Sequence, residues 1–149
     1  MQVLVQRVKE ASCEVDGRPI SAIAQGFVLF VSFHQTDTAA LIPVMAKKVA
    51  RLRIFSDAAG KMNRSLIDDH LEALSISQFT LEANTDKGHR PSFTEALDPD
   101  TAETFYLLFN EALENEGVLV KTGQFGAAMQ VKLVNDGPVT LLLKRTHPS

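Results

Sequence analysis

The fold class is indicated most clearly by the first third of the chain, which reads QVLVQRVKEASCEVDGRPISAIAQGFVLFVSF over residues 2–33. Two short stretches of it, 2–8 and 12–15, are rich in β-branched residues and predict strands. Asp16-Gly17 follows them and is a strong signal for a two-residue hairpin, so a returning strand is expected next. The uninterrupted apolar stretch 27–33 is typical of a strand that is buried on both faces. β-Structure is therefore expected to dominate the beginning of the chain.

Two helices are predicted farther along. Residues 36–52 carry apolar side chains at helical spacing, and a threonine or aspartate at 36–38 could cap this helix. Pro43 is tolerated only in the first turn of a helix, so the helix could begin later than residue 38. The second helix is predicted to begin at Asp98-Pro99, an N-cap followed by a proline at the first helical position, and to stop at Gly117.

Four further stretches predict strands, at 71–81, 118–121, 129–134 and 139–144. The chain has 149 residues, of which 45% are hydrophobic and 22% charged, and this length favours one domain over residues 1–149. Strands outnumber helices, and the two helices separate three groups of strands. This order predicts an α+β fold with a mainly antiparallel, barrel-like β-sheet and two principal helices.

The charge balance limits the partners that the protein could bind. Lysine and arginine total 15 and the acidic residues total 18, which gives a net charge of −3. Proteins that bind long stretches of nucleic acid are usually basic, because each neutralised phosphate releases counterions. Any contact with nucleic acid is therefore expected to be local, at an end or at a single nucleotide.

Cysteine usage and hydropathy indicate the compartment. Cys13 is the only cysteine, which excludes an internal disulfide and fits a reducing environment. The first ten residues lack the charge order and apolar run of a signal peptide, and no apolar stretch approaches the roughly 20 residues of a membrane span. We expect a cytoplasmic protein with no membrane association.

Several kinds of catalytic centre find no support in the sequence. None of the four histidines pairs with another His, Cys or acid at ligand spacing, so no metal and no other cofactor is expected. Asp68-Asp69 is a pair of acids, but neighbouring acids in a loop are usually only solvated. The chain has no G-x-S-x-G elbow and no recognisable Ser-His-Asp arrangement, so a general serine esterase would lack its base.

Two segments carry groups suited to chemistry. The first is Ser77-Gln78-Phe79-Thr80-Leu81, in which three hydrogen-bonding side chains surround one aromatic ring. If the strand continues through it, alternation places the odd-numbered residues on one face and Gln78 and Thr80 on the other. The local pattern by itself favours a structural role, with Phe79 in the core and Thr80 as an ordinary strand residue.

The second segment is Asn135-Asp136-Gly137-Pro138-Val139-Thr140, which joins two predicted strands and is therefore expected to form a turn. Only about 5–6% of X-Pro bonds in folded proteins are cis, so the local expectation for Gly137-Pro138 is a trans bond. A cis bond would instead turn its two carbonyls to nearly the same side and create a rigid pair of backbone acceptors.

The order and spacing of the motifs resemble those of the D-aminoacyl-tRNA deacylase family. The match runs nearly end to end, and six motifs in family order make it highly specific, although each motif alone is weak. The chain departs from the family pattern at Ser32, where glycine is common, at Pro43, and at the less apolar segment 71–74. The six motifs are Gln6-Arg7-Val8 with Ala11-Ser12, Arg53-Ile54-Phe55-Ser56-Asp57 with Gly60-Lys61-Met62-Asn63, Ser77-Gln78-Phe79-Thr80-Leu81, Arg90-Pro91-Ser92-Phe93, Thr122-Gly123 with Phe125-Gly126-Ala127, and Asn135-Asp136-Gly137-Pro138-Val139-Thr140.

The resemblance implies a homodimer that hydrolyses the ester between a D-amino acid and the terminal adenosine of tRNA. It also implies that glycyl-tRNA is a substrate. In the family, the bond that matches Gly137-Pro138 is cis and reaches across the dimer into the other active site, beside the segment that matches residues 77–80. Arg7 matches a family arginine that braces this region. The expected partner is thus the 3′ end of an aminoacyl-tRNA, and no DNA is expected.

A catalytic scheme follows for Ser77, Gln78, Phe79 and Thr80, the predicted catalytic residues. Attack on the ester carbonyl creates an oxyanion, which the backbone N–H groups of Phe79 and Thr80 could stabilise. Gln78 could position the carbonyl or the ribose, and Thr80 carries the only obvious hydroxyl nucleophile. Because the motif offers no base to activate that hydroxyl, we expect the 2′-OH of the terminal ribose to activate or orient water.

Chiral selection is expected to come from the main chain. An L-amino acid would drive its Cβ into the carbonyls of Gly137 and Pro138, whereas a D-amino acid would project its side chain outward. Glycine has no Cβ and would escape rejection. Phe125 and Met129 are candidates for the pocket wall, although core positions would suit them equally well.

Alternatives stay open at this stage. One is a related editing domain that removes a wrong L-amino acid from tRNA, and another is a non-catalytic module that binds RNA ends or associates with DNA. The intact Ser77–Leu81 and Gly137-Pro138 segments argue against both. For the favoured function, Lys87, Arg90 and Lys121 are expected to form a modest basic patch that contacts the tRNA end.

Overall fold

The computed structural model describes residues 1–148, and Ser149, the last residue of the predicted domain, lies outside the described residues. Strands outnumber helices, as the sequence predicts. In chain order the elements are β1 (Gln2–Val15), β2 (Arg18–Ile23), β3 (Gly26–Ser32), α1 (Leu41–Ala50), β4 (Phe55–Ser56), β5 (Met62–Arg64), β6 (Glu72–Ser77), a 3₁₀ turn (Phe79–Glu82), α2 (Pro99–Asn115), β7 (Leu119–Thr122) and β8 (Met129–Lys144).

A six-stranded sheet is organised around β1. Its order is β2-β1-β3-β6-β7, and β8 pairs with β1 along the other edge of that strand. The pairs that involve β1 are antiparallel, whereas β3–β6 and β6–β7 are parallel, because α1 and α2 lie in the crossovers that a parallel pair requires. The sheet is therefore mixed and curls into a nearly closed barrel, which confirms the predicted α+β, barrel-like fold class.

β1 is one continuous strand rather than the two predicted stretches. Its first half pairs with β3 and its second half with β2, while β8 pairs with both halves. These long-range partners keep Lys9 and Glu10 in the strand, although both side chains are exposed and interrupt the apolar pattern. The hairpin signal is confirmed, because Asp16 and Gly17 have φ values of 51° and 72°, the positive values that a type I′ turn requires.

β3 is buried on both faces, as its uninterrupted apolar sequence predicts. Phe27 and Leu29 belong to the core cluster that packs against the two helices, whereas Val28 packs with Ile76 on the other side of the sheet. The ring of Phe27 also stacks on Phe55, with the two centroids 4.9 Å apart. This rigid central strand ends beside the site described below.

The first helix is shorter than predicted. It begins at Leu41, which confirms the start after residue 38 that Pro43 suggested. Its N-cap position is Ala40, so none of the threonines or the aspartate at 36–38 caps it. Pro43 lies in the first turn of the observed helix, where its missing N–H has no cost. Asp37 instead accepts a hydrogen bond from the N–H of His34 at 2.7 Å and orders the loop that precedes the helix.

The second helix begins and ends as predicted. The Asp98 carboxylate accepts the N–H of Thr101 at 3.0 Å, and Pro99 is the first helical residue. This hydrogen bond holds the pKa of Asp98 below its usual value. Gly117, with φ of 99°, follows the C-cap. Neither helix of the described chain is long and apolar enough to cross a membrane.

Gly26 is required where β3 approaches β6. A Cβ added there would lie 1.8 Å from the backbone carbonyl oxygen of Glu72. Because that oxygen belongs to a paired strand, we expect Gly26→Ala to lower the free energy of unfolding by about 3 kcal/mol. Urea unfolding measures the change. Gly60→Ala is the control, since Gly60 has φ of +77° and nothing within 4 Å, and only a strain of about 1 kcal/mol is expected. Equal losses at both sites would contradict the steric explanation.

Candidate active site

β6 ends at Ser77, and the strand predicted over 71–81 does not continue to Leu81. The N–H of Gln78 donates to the carbonyl of Val31 at 2.7 Å, and the chain then turns, with the N–H of Leu81 donating back to the carbonyl of Gln78 at 3.2 Å. The predicted alternation beyond Ser77 is wrong, because a 3₁₀ helix has three residues per turn instead of two. Phe79 is consequently 55% exposed and is not a core residue.

A cavity of about 530 Å³ opens where β3 and β6 end. Its wall is mostly apolar and aromatic with a few polar groups, which is typical of a site that binds a small organic ligand. Predicted site residues from three separate motifs or segments meet in this wall. They are Ser77, Gln78, Phe79, Phe125 and Met129.

The cavity wall also contains Phe93 and Leu97, which were not predicted as site residues. Phe93 packs edge-on against Phe79, with ring centroids 5.3 Å apart, and Leu97 lies at the rim, where its N–H donates to the carbonyl of Phe33 at 3.0 Å. Phe93 belongs to one of the six motifs, so its aromatic ring after Pro91 was a usable signal. Leu97 carries no such signal, because only the packing against Phe33 places it here.

Thr80 is held by Gln78 and not by a base. The side-chain Nε2 of Gln78 donates to Thr80 Oγ1 at 2.5 Å, and both groups lie at the surface. The side chain of Thr80 is not part of the cavity wall. Within residues 1–148, no histidine, lysine or carboxylate is hydrogen-bonded to this hydroxyl, so nothing in contact with it could take its proton.

Two backbone donors are available beside the cavity. Phe79 and Thr80 are the first two residues of the 3₁₀ turn. The first N–H that donates within the turn belongs to Leu81, so the N–H groups of Phe79 and Thr80 have no partner inside it. In the described part of the chain neither N–H donates to a carbonyl or a side chain. Unpaired N–H groups at an exposed turn are suited to a developing negative charge on a bound substrate.

Tyr106 lies behind the cavity wall. Its hydroxyl donates to the carbonyl of Ser75 at 2.6 Å, and its ring is tilted against Phe125 with centroids 6.0 Å apart. Burial raises the pKa of the Tyr106 hydroxyl above its usual value, so the group stays protonated and remains a donor. Tyr106 thus ties α2 to β6 and gives Phe125 a fixed support.

The segment predicted as a turn at 135–140 is instead a bulge inside β8. Thr140 pairs with Gln6 and Asn135 pairs with Val8, so the four residues 136–139 lie opposite one residue of β1. The turn prediction is wrong because β1 continues without a break and pairs with β8 on both sides of the bulge. Gly137 and Pro138 lie exposed in this bulge, and the peptide bond between them is cis.

Arg7 and Asn135 hold the base of the bulge. The guanidinium of Arg7 donates from Nε to the carbonyl of Asp136 at 3.2 Å and also lies 3.2 Å from its carboxylate, while the other branch donates to the carbonyl of Ile54 at 2.5 Å. The side-chain amide of Asn135 donates to the carbonyls of Arg7 and Val139 at 3.0 and 3.1 Å. None of these residues lines the cavity of the same chain.

Other charged groups are distributed around the molecule. In residues 1–148, no cluster of three or more His, Cys, Asp or Glu side chains could hold a metal ion. Lys87 and Arg90 lie exposed on a loop whose base is closed by two hydrogen bonds between Asn84 and Ser92, at 2.8 and 2.9 Å. This loop leads directly into the cavity wall, whereas Lys121 lies exposed on β7.

Two solved structures share the fold. The structure titled "c-Myc DNA Unwinding Element Binding Protein" superposes with a TM-score of 0.92 at 40% identity and covers 99% of this chain and 100% of that chain. A probable eukaryotic D-amino acid tRNA deacylase superposes with a TM-score of 0.82 at 16% identity, over 95% of this chain and 97% of that one. The protein therefore has the barrel-like α+β fold of the tRNA deacylases.

Sequence comparison makes the assignment more specific. A family model described as D-Tyr-tRNA(Tyr) deacylase matches residues 4–144. Relatives named D-aminoacyl-tRNA deacylase, from Exiguobacterium sibiricum and Listeria monocytogenes, are each 51% identical, over 97% and 96% of this chain and 100% and 95% of their own. The chain belongs to the D-aminoacyl-tRNA deacylase family and is an enzyme, an ester hydrolase.

Proposed function

We propose that this chain hydrolyses the ester of D-aminoacyl-tRNA and of glycyl-tRNA in the cytoplasm and releases free tRNA and the amino acid. The observation that carries the proposal is a pair of unpaired backbone N–H groups, those of Phe79 and Thr80, in the turn whose first residue, Phe79, lines an apolar cavity of about 530 Å³. Family membership supplies the substrate class. The acidic net charge of −3 fits an enzyme that grips only the end of a tRNA.

The two N–H groups are proposed to bind the oxyanion that forms on the ester carbonyl. Each such donor contributed about 2.7–4 kcal/mol of transition-state stabilisation in a well-studied protease. Gln78 and Ser77 line the cavity immediately before this turn, where they can position the carbonyl or the ribose. Phe125 and Met129 also line the cavity, and an adenine ring could lie against them.

Thr80 is proposed to orient groups rather than to attack the ester. Its oxygen already accepts the Gln78 amide, and the hydroxyl has no base in contact, so an attack from Thr80 would have no proton acceptor. The 2′-OH of the terminal ribose is the remaining hydroxyl next to the scissile ester. It is proposed to activate or orient the attacking water.

Chiral selection is proposed to require a second copy of the chain. Gly137 and Pro138 are exposed and absent from the wall of their own cavity, so on one chain they could select nothing. In a homodimer, the partner subunit's Gly137 and the partner subunit's Pro138 would stand beside residues 77–80. Their backbone carbonyls would then collide with the Cβ of an L-amino acid and leave a D-amino acid or glycine untouched.

Release of amino acid from D-tyrosyl-, L-tyrosyl- and glycyl-tRNA tests the function. We expect cleavage of the D-tyrosyl and glycyl esters and little of the L-tyrosyl ester, and light scattering is expected to give the mass of a dimer. Preferential cleavage of L-tyrosyl-tRNA would favour the related L-editing function. A monomer that retains full discrimination would refute the role of the second copy.

The contact with the tRNA is expected to be small. If Lys87 and Arg90 contact about two phosphates of the single-stranded end, log K should fall with log salt with a slope of about −1.4. Lys87→Ala with Arg90→Ala should flatten this slope, whereas Lys132→Ala, an exposed lysine paired with Glu14 on another face, should leave it unchanged. A slope steeper than about −4 would indicate a much wider interface.

A second candidate is association with DNA, because a relative of 40% identity is named for binding a DNA unwinding element. The net charge of −3 argues against a wide DNA contact. Fluorescence anisotropy with a labelled duplex and with uncharged tRNA, at equal salt, separates the two. Tighter binding of the duplex would favour the DNA role.

A further inference from the structure

A buried carboxylate anchors the end of the 3₁₀ turn. Glu82 is only 6% exposed, and its Oε1 accepts two hydrogen bonds, from the Ser32 hydroxyl at 2.6 Å and from the Gln2 side-chain amide at 2.9 Å. A carboxylate removed from water is costly unless it is hydrogen-bonded, so these donors are required for the observed placement of Glu82. The reaction scheme above uses none of these three residues.

The end of β3 holds this turn at two points. The carbonyl of Val31 accepts the N–H of Gln78, and the next residue, Ser32, donates to the side chain of Glu82. The segment between these points carries the unpaired N–H groups of Phe79 and Thr80. A four-residue 3₁₀ helix is too short to fix its own orientation, so tertiary contacts must do so.

The two clamps differ in kind. The Val31 bond is an extension of the parallel pairing between β3 and β6, whereas the Glu82 bonds use side chains from the beginning of β1 and the end of β3. Beyond Gln78, the side chain of Glu82 is the group that joins the end of the turn to both β1 and β3, so we expect the orientation of the turn to depend on these two hydrogen bonds.

We propose that Gln2, Ser32 and Glu82 form a positioning cluster that aims the N–H groups of Phe79 and Thr80 at the substrate carbonyl and so sets the rate of the chemical step. This inference rests on the proposed oxyanion-binding role of the turn. Glu82 itself does not line the cavity, so it acts through the turn and not on the substrate.

Single-turnover cleavage of D-tyrosyl-tRNA with enzyme in excess tests the positioning role. This experiment measures two quantities separately, the maximal cleavage rate and the enzyme concentration at which the rate is half-maximal. Glu82→Ala should lower the maximal rate about 10- to 100-fold, since a misplacement of about 1 Å can have this effect, and should leave the half-maximal concentration nearly unchanged. Glu82→Gln should restore most of the rate, because its carbonyl oxygen has two lone pairs and can accept both hydrogen bonds.

Glu72→Ala is the matched control. Glu72 is a half-buried carboxylate at the opposite end of β6 and also accepts one hydrogen bond, from the N–H of Ala24 in the loop between β2 and β3, at 2.8 Å. Its loss should lower stability without lowering the maximal rate per folded molecule. Gln2→Ala keeps the carboxylate and removes one of its donors, and Gln2 does not line the cavity, whereas Ser32 does. This variant should give a smaller decrease in the same direction and serves if Glu82→Ala does not fold.

The outcomes separate the cluster from the proposed function. Wild-type protein that fails to cleave D-tyrosyl-tRNA would overturn the function itself. If the wild type is active and Gln78→Ala is impaired, but Glu82→Ala and Gln2→Ala are fully active, only the positioning role is overturned. The positioning role is also overturned if the decrease in the maximal rate of Glu82→Ala is fully explained by a smaller fraction of folded protein. The same holds if Glu82→Gln does not recover the rate.

Discussion

D-tyrosyl-tRNA that ends in 2′-deoxyadenosine is expected to be cleaved about 10²–10⁴-fold more slowly than the normal substrate, the range that a positioned acid or base contributes. The reason is the absence of a base at Thr80, whose oxygen already accepts the Gln78 amide at 2.5 Å. Because no base contacts this hydroxyl within residues 1–148, the proposed mechanism assigns to the ribose 2′-OH the proton transfer that water needs. Single-turnover release of D-tyrosine from the 3′-linked ester measures the effect.

Two controls make this prediction specific. A 2′-fluoro ribose keeps an electron-withdrawing substituent without a hydroxyl, so it separates proton transfer from the inductive activation of the ester. Binding of the deoxy substrate should stay close to normal, since the cavity wall is mostly apolar. Normal cleavage of the 2′-deoxy substrate would refute assistance by the ribose.

Arg7→Ala is expected to raise the rate for L-alanyl-tRNA relative to D-alanyl-tRNA about 100-fold, which is within the range that one steric contact can discriminate. The guanidinium joins Asp136 at the base of the bulge to the carbonyl of Ile54, and it is only 12% exposed. Without it, the Asp136 carboxylate and the Ile54 carbonyl lose their shared partner. In the proposed dimer, the bulge that carries Gly137 and Pro138 would then be free to move away from the other active site.

Relative rates for the two alanyl esters measure this change. Arg7→Lys should recover little, because an ammonium cannot reach two carbonyls and a carboxylate with the fixed geometry of a guanidinium. Arg51→Ala is the matched control, since Arg51 forms an exposed ion pair with Glu116 at 3.3 Å and should leave the ratio unchanged. Equal decreases for both esters in Arg7→Ala would mean that the arginine supports stability or catalysis and not chirality.

The two predictions concern different parts of one reaction. The first concerns the proton that must move when the ester is cleaved, and the second concerns the shape of amino acid that reaches the carbonyl. The positioning role proposed for Glu82 concerns a third part of the reaction, the orientation of the backbone N–H groups that bind the oxyanion. A variant at Glu82 should therefore change the rate for D- and glycyl esters alike and leave the ratio of L- to D-alanyl cleavage unaffected.

Less than a third of the cavity wall could be predicted from the sequence. Ser77, Gln78 and Phe79 were found because they form a motif, and Phe125 and Met129 because they lie in or near another. The donors to Glu82 were not found, since Gln2 and Ser32 are separated from it by 80 and 50 residues. No local pattern marks hydrogen bonds that form between the beginning of the chain, the end of β3 and a turn beyond β6.

The elements that the sequence determined by itself are those whose cause is local. The Asp16-Gly17 hairpin, the doubly buried β3 and the Asp98-Pro99 helix start depend on backbone conformations or hydrophobic runs that neighbouring residues impose. The tertiary structure alone decided that β6 stops at Ser77 and that Asp136–Val139 bulges from a continuous strand. A strand ends or bulges according to the partner it pairs with, and here the partners, Val31 and Arg7, lie far away in the sequence.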